Sequence, residues 1–283
     1  MAIDLHSVGR TFGPSEVSWN ARDAMLYALG VGAGQQDPFD ELQLTTENTA
    51  GVTQKVLPAY AVVLTQNAAA KPEFGPIDRT KLVHAEQGFE LHRPLPLEGR
   101  VSITTRITGI FDKGSGALAS TESVATDLAT GQPLLTARSS VFIRGEGGFG
   151  GEKGPPGPTP VPQRAPDFTQ AFETRADLAL LYRLSGDRNP LHSDPAFAAR
   201  GGFTKPILHG MCTYGITSRL LIRAFCDGDP DRLKSMHGRF TRPVLPGDTL
   251  VIQGWRESGV IRFRTLGAGG EPVLDAGTAV LRD

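Results

Sequence analysis

One stretch constrains this chain more than any other. Thirteen of the 22 positions from Gly145 to Pro166 are Gly or Pro. Proline fixes φ and removes an N–H that helices and central strands need, and glycine brings freedom that both must give up. The segment reads as a linker, partly extended by its prolines. It divides the 283 residues into a unit at 1–144 and a unit at 167–283.

The two units echo one another. Leu26-Tyr27-Ala28-Leu29-Gly30 answers Leu181-Tyr182-Arg183-Leu184-Ser185-Gly186, and Val56-Leu57-Pro58-Ala59 answers Ile207-Leu208-His209-Gly210. Phe89 to Leu95 answers Arg239 to Val244, so three landmarks recur in order at offsets of 155, 151 and 149 residues. Each unit has the same plan. A short helix (about 21–30 and 175–185) closes on a glycine suited to a left-handed cap. A longer apolar helix (about 57–69 and 209–226) follows a loop. Strands come next, at about 101–111, 117–128 and 133–144, then at about 249–255, 260–266 and 272–281, with Gly-bearing gaps that signal hairpins. The second long helix carries Met211, Cys212, Tyr214, Ile216, Leu220, Leu221, Ile222 and Phe225. Apolar on most faces, it must be wrapped by other structure. The prediction is an α+β fold with two repeats, each an antiparallel sheet wrapped around a helix. A content of 34 Gly and 21 Pro against 14 Phe, 4 Tyr and 2 Trp also favours turns and strands over a helical bundle.

Lys and Arg (29) nearly cancel Asp and Glu (30). A balanced chain has no broad basic field, which speaks against nucleic acid and anionic membrane as partners. No apolar run approaches the ~18 residues of a membrane span. The first residues lack a signal peptide's basic and apolar regions, and Leu281-Arg282-Asp283 is not a peroxisomal address. Two cysteines, Cys212 and Cys226, imply a reducing compartment and no disulfide framework. We predict a cytoplasmic protein.

Chemistry concentrates between Leu184 and Pro195. Gly186 should end the helix, and Pro190 and Pro195 stop it restarting. Asp187 and His192, on one constrained loop, can face one water molecule, the carboxylate and the imidazole each able to accept or return a proton. A plain turn would use the same residues, with Asn189-Pro190 as turn starter and His192 on the surface. The other unit moves the balance toward chemistry: its Val31 to Asp37 stretch has neither acid nor imidazole at the matching places. Gly210, at the predicted start of the buried helix, offers an outward N–H where the helix dipole favours negative charge, an oxyanion-hole geometry. The six histidines lack metal-ligand spacing, so no metal is expected. No phosphate loop or dinucleotide fingerprint is present, and without a G-x-S-x-G no serine nucleophile is expected.

Leu181 to Pro195, followed by Lys205-Pro206-Ile207-Leu208-His209-Gly210, resembles the signature of the MaoC-like (R)-specific enoyl-CoA hydratases, hydratase 2. Ala24 to Ala33, His84-Ala85-Glu86-Gln87, Asp112 to Gly116 and Gly147 to Gly151 resemble the hydratase domain of peroxisomal multifunctional enzyme type 2, so the likeness covers essentially the whole chain. It implies a double hot-dog fold in which the first repeat is degenerate and makes room for a bulky acyl chain. It implies reversible syn hydration of trans-2-enoyl-CoA to (3R)-3-hydroxyacyl-CoA, without metal or redox cofactor, in β-oxidation of fatty acyl or steroid side-chain thioesters. Asp187 and His192 match the pair that holds and activates water, Asn189 supports their loop, and the Gly210 N–H matches the thioester-oxygen donor.

By the same likeness, His84 and Ala85 fall where the family has a His-Gly pair against the substrate. Lys113 falls at a CoA-contacting lysine and Phe240 at a residue lining the site. Each has a plainer reading, as a structural histidine, a solvated hairpin lysine and a core phenylalanine. Glu47 matches a family glutamate only through an alignment that slips by two residues. Glu86 reads as structural, Asp194 as a loop brace and His209 as a hydrogen-bonder at the helix start. Because the reaction is reversible, a biosynthetic (3R)-hydroxyacyl-thioester dehydratase is an alternative, as is a non-catalytic acyl-CoA binding module. The intact loop speaks against a thioesterase. Exposed sheet edges predict that two chains pair as a homodimer.

Overall fold

The computed structural model describes residues 2–157 and 159–282. In chain order, the first unit has β1 (Thr11–Trp19), α1 (Ala21–Gly30), α2 (Leu42–Thr45), α3 (Tyr60–Gln66), β2 (Leu82–Leu91), β3 (Gly99–Asp112), β4 (Gly116–Asp127) and β5 (Pro133–Arg144). The second has β6 (Phe168–Glu173), α4 (Leu178–Tyr182), α5 (Pro195–Arg200), α6 (Gly210–Phe225), β7 (Leu233–Phe240), β8 (Thr249–Glu257), β9 (Val260–Leu266) and β10 (Pro272–Leu281).

The strands form one antiparallel sheet in the order β1-β3-β4-β5-β2-β7-β10-β9-β8-β6. Read outward from the β2–β7 join, the two halves have the same order, so β2 answers β7, β5 answers β10 and β1 answers β6. This is the double hot-dog architecture. The join is antiparallel, with Glu86 opposite Arg239, Gly88 opposite His237 and Glu90 opposite Ser235. The three sequence landmarks fall at equivalent places: on α1 and α4, just ahead of α3 and α6, and at the ends of β2 and β7.

Local chemistry explains the elements. Asn20 and Asp23 form a reciprocal capping box at the start of α1. In α6 every residue is buried except Gly210, Arg223 and Ala224, as expected of a helix the sheet encloses. Even Arg219 is buried there; its guanidinium meets Glu41 at 2.6 Å and donates to Val31 O at 3.0 Å. That pair fastens the first unit's 31–41 loop to the second unit's helix. One core cluster runs through both units, from Tyr27 and Leu64 to Tyr214 and Phe263.

Several expectations need correction. Gly30 is the last residue of α1 and not its left-handed cap; the positive φ falls on Gly32, at 80°. The 175–185 helix is shorter, with α4 passing into a 3₁₀ turn at Arg183–Ser185. The 57–69 helix covers only Tyr60–Gln66, because Pro58 and Ala59 form a turn and the Ala70 N–H is captured by Ser15 Oγ at 3.0 Å. Two strands per unit escaped the sequence reading. β1 contains Gly13-Pro14, tolerated because β1 is an edge. Segment 145–166 has neither helix nor strand among its described residues, but it is tied down. The Asp112 carboxylate accepts the N–H groups of Gly114, Gly148 and Gly150 at 2.7–2.8 Å, and the Trp255 indole donates to Arg164 O at 2.8 Å.

Candidate active site

The loop after α4 is built by three devices. Gly186 has φ 138°, where L side chains are strained, and a Cβ there would come within 2.1 Å of Asn67 Oδ1. The Asp187 carboxylate accepts the Asn189 N–H at 3.1 Å, and the Asn189 side chain accepts the Leu191 N–H at 3.0 Å. Asp194 caps α5 by accepting from Ala196 and Phe197. Between these turns His192 is carried inward to a buried position, its Nδ1 2.9 Å from Ile207 O. A carbonyl oxygen only accepts, so Nδ1 bears the hydrogen and Nε2 keeps a bare lone pair. Burial lowers the His192 pKa below 6.5, against the opposing pull of the Ile207 carbonyl and the Asp187 charge.

The start of α6 forms the facing wall. Leu208 N–H donates to Val244 O at 2.7 Å, which fixes the approach to the helix. The first N–H groups of a helix have no intrahelical acceptor. Gly210, exposed at the first position of α6, therefore leaves its N–H for an outside one. Phe240, at the end of β7, links this wall to β2. Its ring lies 4.8 Å from that of His84, and a Cβ on Gly210 would approach it at 3.3 Å. His84 Nε2 lies 3.1 Å from Ser139 Oγ. Desolvation pushes His84 down to about 4, opposed by hydrogen bonding to the Glu86 backbone and the Gln87 side chain and, least, by the charge of Asp187. Ala85 is the extra residue of a bulge between His84 and Glu86.

The expected residues thus divide. Asp187, Asn189, His192 and Gly210 border one region, with Phe240, His84 and Ala85 on its β2–β7 side. Lys113 is exposed in the β3–β4 turn, its ammonium bonded to Lys153 O, and no contact among the described residues joins it to the cluster. Glu47 is exposed beyond α2. Three residues were missed. His209 was read only as a hydrogen-bonder; it does bond, Nε2 to Asp187 O at 3.1 Å, but it also stacks on His192 with centroids 3.7 Å apart. Its place beside Gly210 was the available signal. Asn67, from the first unit, donates to Ser185 O at 3.1 Å across 118 residues of sequence. Lys71, whose ammonium is lowered by burial and drawn back by the Asp187 charge, is the third. Nothing in the sequence pointed to these last two.

One ligand atom each from Asp187, His192 and His209 lie within 4.8 Å of one another, a cluster that linear spacing did not reveal. Two imidazoles on a tetrahedral ion aim their lone pairs at one point. Here the rings are stacked at an interplanar angle of 26°, with one nitrogen of each already bonded to a carbonyl. The two carbonyl bonds leave one ring nitrogen of each imidazole free to exchange a proton. A cavity of about 440 Å³ lies beside Phe240, lined also by Gly157, Pro160, Arg239, Thr241, Asp275 and Ala276; none of Asp187, His192 and His209 lines it.

Residues 158–275 match the family described as MaoC like domain, and residues 17–145 match the MFE-2 hydratase 2 N-terminal domain. The chain is 44% identical over 276 residues to 3-hydroxyacyl-thioester dehydratase Y of Mycobacterium tuberculosis, covering 96% of this chain and 94% of that protein. It is 43% identical over 263 residues to enoyl-CoA hydratase ChsH3 of the same organism, covering 91% of each. Among solved structures, a MaoC-like dehydratase from Phytophthora capsici superposes with a TM-score of 0.89 at 32% identity, over 99% of this chain and 98% of that one.

Proposed function

The chain belongs to the MaoC-like hydratase 2 family, and from that premise we propose how its own residues perform the family's reaction. It is a hydro-lyase that hydrates trans-2-enoyl-CoA to (3R)-3-hydroxyacyl-CoA in β-oxidation.

The single observation that carries the assignment of roles is the His192 tautomer. With Nδ1–H bound to Ile207 O, only Nε2 can take a proton. A water held between His192 Nε2 and the Asp187 carboxylate loses a proton to that pair as its oxygen bonds to C3. The C2=C3 electrons shift toward the thioester carbonyl, whose oxygen gains charge beside the Gly210 N–H. Loss of such a donor typically costs ~10²–10³ in rate. The proton then passes from the Asp187–His192 pair to C2 on the same face, which makes the addition syn. His84 and Phe240 line the approach, and the cavity beside Phe240 gives room for part of the thioester. Lys113 serves as a CoA contact only if the cofactor portion of the substrate reaches the β3–β4 turn.

We further propose that 1–144 acts as a degenerate repeat accommodating the acyl chain, with 145–166 as the connection to the catalytic repeat at 167–283. The edge strands β1 and β6 support pairing of two chains as a homodimer. Among the described residues no helix is long and apolar enough to cross a membrane; a cytoplasmic location fits the chain's two free, buried thiols.

A second reading has a specific basis. One relative is named a 3-hydroxyacyl-thioester dehydratase, and the same residues would run the reaction backwards. Crotonyl-, decenoyl- and steroid-side-chain enoyl-CoA separate the possibilities. Loss of enone absorbance with any of them supports hydration, and the preferred acyl group identifies the physiological thioester. Binding of all three with no turnover would leave only an acyl-CoA binding module.

A further inference from the structure

His209 takes no part in the steps above, yet it is 1% exposed and touches both residues of the catalytic pair. We propose that His209 is a positioning residue for hydration: it holds Asp187 through the main chain and presents a neutral ring face to His192. This rests on the hydration reading given above.

The geometry fixes its tautomer. Nε2 lies 3.1 Å from Asp187 O, an atom that can only accept, so Nε2 carries the hydrogen. Nδ1 is then a bare lone pair, and it is buried with no partner among the described residues. A proton there would create a buried donor without an acceptor, which costs free energy. The groups facing the ring are His192 from the 190–192 turn, Asp187 from the loop, and Tyr182 and Arg183 at the end of α4, with the Tyr182 ring 4.9 Å away. Burial, His192 and Arg183 together outweigh Asp187 and push His209 down to about 4.

A neutral His209 is what the reaction needs. When His192 takes a proton from water, its imidazolium lies on the π face of a ring 3.7 Å away. A neutral aromatic face attracts a cation, whereas a second imidazolium would repel it. The Nε2–H bond meanwhile pins the backbone of Asp187, and therefore the reach of its carboxylate toward the same water. The first unit supplies an internal comparison. At the position equivalent to His209 it has Pro58, with no aromatic face and no donor, and its Val31 to Asp37 loop has no catalytic pair to position.

The test uses the full chain, with nitrogen-15 histidine spectra from pH 7.5 to 5 and crotonyl-CoA hydration kinetics. In the wild type, His209 should remain a neutral Nε2–H ring throughout, and His192 should show the Nδ1–H form when neutral. His209→Phe keeps the face and His209→Gln keeps a donor, so each should lose about 10-fold in kcat. His209→Ala should lose about 100-fold, with KM within about 3-fold in all three, since misplacing a catalytic group slows the chemical step more than it weakens binding. A His209 that titrates near 6.5 or carries its hydrogen on Nδ1 would overturn the proposal. So would a folded His209→Ala enzyme with kcat within about 3-fold of wild type, or one whose loss lies wholly in KM. A wild-type chain that hydrates no enoyl-CoA would instead strike the hydration reading, while the spectra still decide the state of the ring.

Discussion

At the scale of single residues, the proposed mechanism uses His192 as a base because its neutral form has only one free nitrogen and burial favours that form. The sign of the pH dependence follows. A base with a lowered pKa stays competent at neutral pH and fails only as it protonates, so the acid limb of kcat/KM should fall below pH 6.5. A limb centred above 6.5 would contradict the burial account. Asp187→Asn keeps the size of the side chain and His192→Ala removes the base; each should cut kcat by about 10³ or more, with circular dichroism unchanged. Near-normal turnover by either variant would remove it from the catalytic pair. These residues were legible because Asp187, Asn189, His192 and Gly210 lie within 24 residues of one another, between glycines and prolines that force a loop. Asn67 and Lys71 were not, since they reach that loop only through the packing of the first unit.

At the scale of elements, the start of α6 matters most. Proline is tolerated at the first position of a helix, where the missing N–H has no intrahelical partner. His209, with φ −58° and ψ 130°, already has the extended backbone that precedes a proline. Gly210→Pro should therefore delete one N–H while keeping the helix, its ring displacing the Phe240 side chain by a few tenths of an ångström, and kcat should drop ~10²–10³-fold; Gly210→Ala, which crowds Phe240 in the same way but keeps the N–H, should lose far less. An active Gly210→Pro enzyme would show that the thioester oxygen is bound elsewhere. A second element prediction concerns the Gly-rich stretch after β5. Asp112→Ala removes the acceptor shared by Gly114, Gly148 and Gly150, so limited proteolysis should cut within 145–157 much faster than in wild type. Equal rates would mean that the segment is held by other contacts. The strands β3 to β5 and β8 to β10 were legible from apolar runs bounded by glycine turns. The edge strand β1 was hidden by Gly13-Pro14, and β6 by its shortness beside the Gly/Pro stretch.

At the scale of the whole molecule, the β2–β7 join turns two weak repeats into one sheet, and it also shapes the site. His84 and Phe240 stand on the strands that meet there, one from each repeat, so the proposed substrate region spans the seam. No local pattern in the sequence specifies a pairing between strands so far apart. Buried His209 and half-buried His84 also give the molecule a pH-dependent stability. His84 and His209 are pushed down to about 4, against an ordinary value near 6.5 in the unfolded chain. The unfolded state therefore binds protons that the folded state refuses. Stability should be full above pH 6.5 and decline as pH falls from there toward 4. Thermal unfolding should show Tm dropping across that window; a flat Tm would mean that these rings are not shielded from water. The most direct measurement is hydration of crotonyl-CoA in deuterium oxide, with the configuration of the product read at both carbons. One water handled by Asp187 and His192 on a single face predicts a (3R)-hydroxyl and a deuteron at C2 added syn to it. A (3S) product, or anti addition, would contradict the account.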